Sequence, residues 1–292
     1  MKLAITSPLF VSNWNHRRYV QQMTQSLRSQ HPWYFLPVAN RLDEQFRADL
    51  YQFSQNPIET IEIEGRQPQA VAKAWNDGIR KAGELGCDYV LVLNDDLVLK
   101  SNAIDRLVEF AEAHQEAVLW SMGSHDNLET LETCPEDETF SEHPHFAAFM
   151  VKPTILSDVG LFDENLVPAY FEDSSYHAQI ALANKKAYAY GGSRCFHFGS
   201  RTANEDEIFR DELGPQFRKN AQYFMQKWGF GTVNDVDEMR TTYYKHPYNI
   251  PELGLDVWIP DFWQFLEIRG ATSIREVEKD TVLAYLAERG GR

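Results

Sequence analysis

One stretch, residues 88–100, reads DYVLVLNDDLVLK and limits what this chain can fold into. Its first half, residues 88–93, is β-rich and almost wholly apolar. Such a run suits a strand buried on both faces. It stops abruptly at Asn94, Asp95 and Asp96. Carboxylates at the end of a buried strand are costly unless a partner offsets them. A divalent cation is one such partner, because Mg²⁺ and Mn²⁺ favour oxygen ligands. In open α/β sheets, ligands bind outside the carboxyl ends of the strands. The plainer alternative is a strand-to-helix turn in which Ser101 caps the next helix. On this stretch alone the two readings stand level.

The flanking sequence alternates. Residues 2–6 read as a strand stopped by Ser7-Pro8, and 17–29 as a helix with Tyr19, Val20, Met23 and Leu27 on one face. Strands follow at 33–39 and 58–63, with a helix between them at 43–53. Residues 70–82 place Val71, Ala74, Trp75, Ile79 and Ala82 on one helical face, which makes Trp75 a core residue. A further helix starts at Ser101 and buries Ile104, Leu107, Val108 and Ala111. This order predicts a parallel, doubly wound α/β domain.

Beyond a strand at 117–122, residues 123–144 break the pattern with a long acidic loop, which reads as solvated. A strand at 146–151, a short helix at 153–159 and a short strand at 194–198 follow. Glu172 and Asp173 stand just before a helix carrying Tyr176, Ile180 and Ala183. Residues 209–228 read as a helix, and after Gly231 the alternation is lost. The expected division is a domain over 1–230 and an aromatic-rich extension with a terminal helix over 231–292.

With a net charge of −15, the chain is poorly suited to nucleic acid or an anionic membrane as main partner. An anionic phosphate would need a local positive charge, from a metal or from placed Arg and Lys. The three cysteines, Cys87, Cys134 and Cys195, form no CxxC motif and suit a reducing cytoplasm. No apolar run is long enough for a signal peptide or a membrane span.

Four stretches together resemble the family-two glycosyltransferases of the GT-A fold. AWNDGIRKA (74–82) resembles that family's Asn-x-Gly helix, and YVLVLNDD (89–96) its DxD-type motif. GLFDENLVPAYFED (160–173) resembles its Gly-x-Phe-Asp-Glu segment running to a Glu-Asp pair. HFGS (197–200), with KWG (227–229) downstream, resembles its late His. The likeness spans about residues 1–230. Departures are Asn94 in place of the first DxD carboxylate, Asn40 where the family has an Asp that contacts the base, and the opening TSPLFVSNW.

The resemblance implies a Rossmann-like, mostly parallel sheet flanked by helices. It also implies an inverting, metal-assisted transfer of sugar from a nucleotide-diphosphate sugar to an acceptor hydroxyl, on a glycan or another molecule. Asp96, Asp95 and His197 would hold Mn²⁺ or Mg²⁺. Asp173 would be the general base, with Glu172 the second choice. Asn76, Asn94, Asp95, Arg194 and Arg201 would bind substrate. Two alternatives are a nucleotidyltransferase acting on sugar phosphates and a non-catalytic binding protein of the same fold. Against the first, no Gly-rich, Lys-bearing phosphate loop stands near the N-terminus.

Overall fold

The computed structural model describes residues 1–142, 144–183, 185–199, 215–217, 219–224 and 227. The chain opens with β1 (Leu3–Val11), α1 (Trp14–Ser26), β2 (Trp33–Leu42), a short α2 (Glu44–Arg47) and β3 (Ile63–Glu64). Then come α3 (Val71–Glu84), β4 (Tyr89–Leu93), β5 (Leu97–Leu99) and α4 (Ala103–Ala113). The second half adds β6 (Ala117–Ser124), β7 (Phe140–Ser141), β8 (Ala148–Val151), α5 (Ile155–Asp158), α6 (Glu172–Leu182) and β9 (Lys186–His197). Residues 215–217, 219–224 and 227 are helical and fall within the expected 209–228 helix, the rest of which lies outside the described residues. The extension over 231–292 and Arg201 lie outside the described residues.

The strands form one sheet in the order β3-β2-β1-β4-β8-β6-β9-β5, with β7 also on β9. By their pairing, β3, β2, β1, β4, β6 and β9 share one direction, and β8, β5 and β7 run against it. The sheet is therefore mostly parallel, as expected, with β8 reversed between β4 and β6. The parallel strands end at one common edge.

β4 shows why an unbroken apolar run is needed there. Tyr89, Leu91 and Leu93 join the core layer of α1 and α4, while Val90 and Val92 join that of α3, α5 and α6. Side chains alternate along a strand, so covering both faces buries every position. Trp75 lies in the second layer, as expected, with Phe149 and Phe162 edge-on at 5.2 and 5.0 Å. Truncating such a ring costs about 3–5 kcal/mol. Gly78 sets how closely α3 approaches the sheet: a Cβ there would lie 2.1 Å from Thr6 Oγ1.

Several expected boundaries move. β1 does not stop at Ser7-Pro8 but continues to Val11. Its ladder to β4 ends at Thr6. Phe10, in phase with Pro8, directs its N–H to that open side, where Asp95 accepts it. The missing N–H of Pro8 faces the same side and removes no ladder bond. The helix expected at 43–53 shrinks to α2, and Asp49 leaves the helical region with φ 53°. The strand expected at 58–63 is mostly irregular, although Ile58 and Ile61 N–H still donate to Trp33 O and Phe35 O at 2.7 and 2.9 Å. The strand at 194–198 is the end of the longer β9.

Ser101 does not cap α4, which starts at Ala103. Its N–H and hydroxyl donate instead to Glu132, at 3.0 and 2.9 Å. The acidic stretch is likewise not merely solvated. Glu132 holds the Ser101 turn, Glu138 accepts from Arg106 and Tyr190, and Phe140 and Ser141 form β7. Among the described residues, no helix is long and apolar enough to cross a membrane.

Candidate active site

At the common edge, Asn94, Asp95 and Asp96 carry the chain from β4 into β5. β5 pairs antiparallel with the end of β9, placing Leu97 opposite His197. The residue before Leu97 is thereby brought to the same ring: Asp96 Oδ1 accepts from His197 Nε2 at 2.9 Å. Asp96 is 5% exposed, and the His197 side chain is 28% exposed. The amide nitrogen of Asn94 lies 3.5 Å from the same ring nitrogen.

Asp95 turns the other way. Its Oδ2 accepts the Phe10 N–H at 3.0 Å, tying the end of β4 to the end of β1. Burial, and then the charge of Asp96, pushes its carboxyl up to about 7, against the pull of that N–H.

The Asp96–His197 pair fits a hard divalent ion. One carboxylate and one imidazole already converge, and such an ion takes its remaining oxygens from water and phosphate. Among the described residues, no three His, Cys, Asp or Glu side chains are gathered as a metal-holding group. The structure thus joins Asp96 to His197 and places Asp95 apart, on the backbone of β1.

Glu172 and Asp173 fill the first turn of α6 rather than preceding it. Glu172 is 8% exposed, and its Oε2 has no hydrogen-bond partner among the described residues. Burial, and then the neighbouring Asp173, pushes its carboxyl up to about 8. Asp173 is half-buried. Its Oδ1 accepts from the Ser174 N–H at 2.6 Å and from the Ser174 hydroxyl at 3.3 Å. Burial raises its carboxyl too, and the Ser174 contacts oppose that.

A cavity of about 520 Å³ opens beside this edge, lined in part by Phe10, Arg41, Gln69, Pro168 and Lys219. It runs from the strand end that holds Asp95 to the loop that leads into Glu172. Arg41 and Lys219 escape a motif search because they belong to no motif; only the fold sets them at one mouth. Asn40, next to Arg41, is buried, with Nδ2 donating to Ala70 O at 3.4 Å and Oδ1 unpartnered among the described residues.

Two expected substrate contacts, Asn76 and Arg194, are hydrogen-bonded within the protein. Asn76 is fully buried. Its Oδ1 accepts the Phe162 N–H at 3.0 Å, and its Nδ2 donates to Phe162 O and Glu164 at 2.9 Å each. It fastens the Gly-x-Phe-Asp-Glu segment to α3, which explains why the two motifs occur together. Arg194 donates to Asp137 and to Ser124 O, at 3.1 and 3.2 Å. A phosphate would have to compete with the acidic loop for it.

Residues 9–159 match the pattern of Glycosyl transferase family 2. A galactofuranosyl glycosyltransferase of Leishmania donovani is 31% identical over 96 residues, covering 32% of this chain and 21% of that protein. The crystal structure of GalNAc-T7 with UDP, GalNAc and Mn²⁺ aligns with a TM-score of 0.53 at 11% identity. That alignment covers 92% of this chain and 57% of the other, and it shows the shared GT-A fold. S. aureus TarS aligns with a TM-score of 0.48 at 13% identity, over 85% of this chain and 48% of that one. The chain thus spans under two thirds of each protein it resembles here. By the match over residues 9–159, this α/β chain belongs to glycosyl transferase family 2.

Proposed function

We propose that this protein is an inverting glycosyltransferase that moves a sugar from a nucleotide-diphosphate sugar to an acceptor hydroxyl. The observation that carries the reading is the convergence of Asp96 and His197 at the strand edge. The cavity bordered by Phe10, Arg41 and Lys219 reaches that edge through Phe10, whose N–H holds the adjacent Asp95. The nucleotide-diphosphate lies in that cavity, with Arg41 and Lys219 near its negative charge. Asp96 and His197 hold a divalent ion, Mn²⁺ or Mg²⁺. When bound, that ion supplies a positive charge beside the departing diphosphate. Support for Mn²⁺ and for a uridine donor comes from the GalNAc-T7 complex, which contains both Mn²⁺ and UDP.

The acceptor hydroxyl is a poor nucleophile and needs a base. Asp173 is that base. It is more accessible than Glu172, whose carboxyl is pushed up to about 8 and so keeps its proton at neutral pH. Asp173 takes the hydroxyl proton as the oxygen attacks the anomeric carbon, and the bond to the diphosphate breaks on the opposite side. One displacement of this kind inverts the anomeric centre and needs no carboxylate nucleophile.

The test is incubation with Mn²⁺ and a panel of UDP-glucose, UDP-galactose, UDP-N-acetylglucosamine, UDP-N-acetylgalactosamine and UDP-galactofuranose. The last is included because the Leishmania relative is named for galactofuranose. Nucleoside diphosphate release is the expected result. Release of pyrophosphate from a sugar phosphate and a nucleoside triphosphate would mark a nucleotidyltransferase instead. Binding without turnover would mark a non-catalytic protein.

A further inference from the structure

The backbone that leads into the two carboxylates is unusual. Tyr170 and Phe171 both take left-handed conformations, with φ of 78° and 72°. Non-glycine residues resist that region, and such geometry persists only where the surroundings over-determine it. The surroundings here come from the C-terminal helical segment. Phe171 is 2% exposed, and its ring lies 5.1 Å from that of Phe217 and 5.5 Å from that of Phe224. Tyr170 meets Phe217 at 5.4 Å. The same segment carries Asn220, which is 1% exposed. Its Nδ2 donates to Ala169 O at 2.9 Å and to Tyr170 O at 3.4 Å. Its Oδ1 in turn accepts from Gln216 Nε2 at 3.3 Å.

The consequence reaches the next turn. Phe171 O accepts the Ser175 N–H at 2.8 Å and so starts α6, whose first two residues are Glu172 and Asp173. Rotating the Tyr170 peptide would swing the start of this helix and both carboxylates with it.

We propose that Asn220 is a positioning residue, which holds the left-handed Tyr170–Phe171 backbone so that the first turn of α6 presents Asp173 at the reaction edge. Its part in turnover rests on the reading of Asp173 as general base; its part in fixing the loop does not. The amide is suited to the task because one NH₂ group can serve two neighbouring carbonyls. A carboxylate of the same shape cannot donate, and would set its charge against two carbonyl oxygens.

The test uses Asn220→Asp, which keeps the volume and removes the donors, and Asn220→Ala as a second variant. Two readouts are taken on the full chain. The first is amide hydrogen exchange. Exchange across residues 168–175 should rise by about tenfold or more, while the amides of β1 and β4 stay protected. The second is the UDP-sugar panel with Mn²⁺. Turnover should fall by roughly 10²-fold with donor KM within about twofold, as expected for a misplacement near 1 Å. Unchanged exchange at 168–175 in both variants overturns the proposal. So does normal turnover in Asn220→Asp when Asp173→Asn is inactive. If Asp173→Asn and Glu172→Gln both turn over normally, it is the assignment of the base that fails, and exchange still judges the role of Asn220.

Discussion

Asp96 and His197, 101 residues apart, meet at 2.9 Å because β5 pairs with the last residues of β9. A shift of one residue in that register would turn the imidazole to the other face of the sheet. The contact therefore depends on the whole second half of the fold. It brings a buried carboxylate against an imidazole whose side chain is 28% exposed.

The first prediction tests that pair. Asp96→Asn keeps the shape and the fold but removes a charged oxygen. Calorimetric binding of UDP in the presence of Mn²⁺ should weaken by about tenfold or more, since losing even an outer-shell partner costs roughly 10–100-fold. His197→Ala should show the same Mn²⁺-dependent loss. Binding in both variants equal to that of the parent would remove these residues from the ion site.

For the proposed base, Asp173→Asn should lower turnover by about 10² to 10⁴ and leave donor affinity nearly unchanged. Glu172→Gln should be milder, because Glu172 already holds a proton at neutral pH. Steady-state kinetics on both variants checks this. An inactive Glu172→Gln beside an active Asp173→Asn would exchange the two roles.

Glu172 also makes stability depend on pH. Its folded-state value, about 8, lies above the usual 4.5 of a glutamate. Below about pH 4.5 both folded and unfolded chains carry the proton, and burial of the neutral acid costs no charge. As pH rises from there to about 8, the unfolded chain releases the proton first, and stability falls by up to about 1.4 kcal/mol per unit. Above about 8 the loss is complete. Glu172→Gln escapes this loss, so its Tm should exceed that of the parent by a margin that grows with pH across the window. An equal margin at pH 5 and pH 8 would refute the assignment.

Asp163 shows the opposite behaviour. Burial works to raise its carboxyl, but hydrogen bonds from Lys227 and Asn165, with the lysine charge, hold it below the usual range. The Lys227 contact is 2.6 Å, and the Asp163 side chain is 4% exposed. This stability is present at neutral pH and is lost as pH falls through the depressed value. Lys227→Met should destabilise by about 1–3 kcal/mol, the cost of removing one partner from a buried acceptor, because Asp163 keeps its hydrogen bonds from Asn165 and Lys227 is partly exposed. The double variant Asp163→Asn/Lys227→Met should recover most of that loss, as read by chemical denaturation.

Gly78→Ala tests the α3 contact. The added methyl would lie 2.1 Å from Thr6 Oγ1, whose hydroxyl is committed to Leu36 O at 2.7 Å. Overpacking of this kind costs about 1–3 kcal/mol or more. The Gly78→Ala/Thr6→Ser double variant removes the Thr6 methyl but keeps the hydroxyl, so it should recover only part of the loss.

The sequence by itself determined the alternation of strands and helices, the two-faced burial of β4 and the family motifs. These are local signals. Val90 and Val92 alternate with Leu91 and Leu93 because a strand has period two, and Trp75 follows the helical period into the core. The acids of YVLVLNDD likewise fall at the strand end by counting along the chain. Only the tertiary structure decided which of them meets which partner. Asp95 turns to Phe10 and Asp96 to His197 because successive residues face opposite ways and the neighbours come from β1 and β9. No motif tells that Asn76 is buried against Phe162, or that Asp137 stands beside Arg194. Asn220 carries no motif at all, because its effect runs through two backbone carbonyls about 50 residues upstream. A side chain's type is written in the sequence, but its partner is chosen by strand register and helix packing, which bring distant residues together.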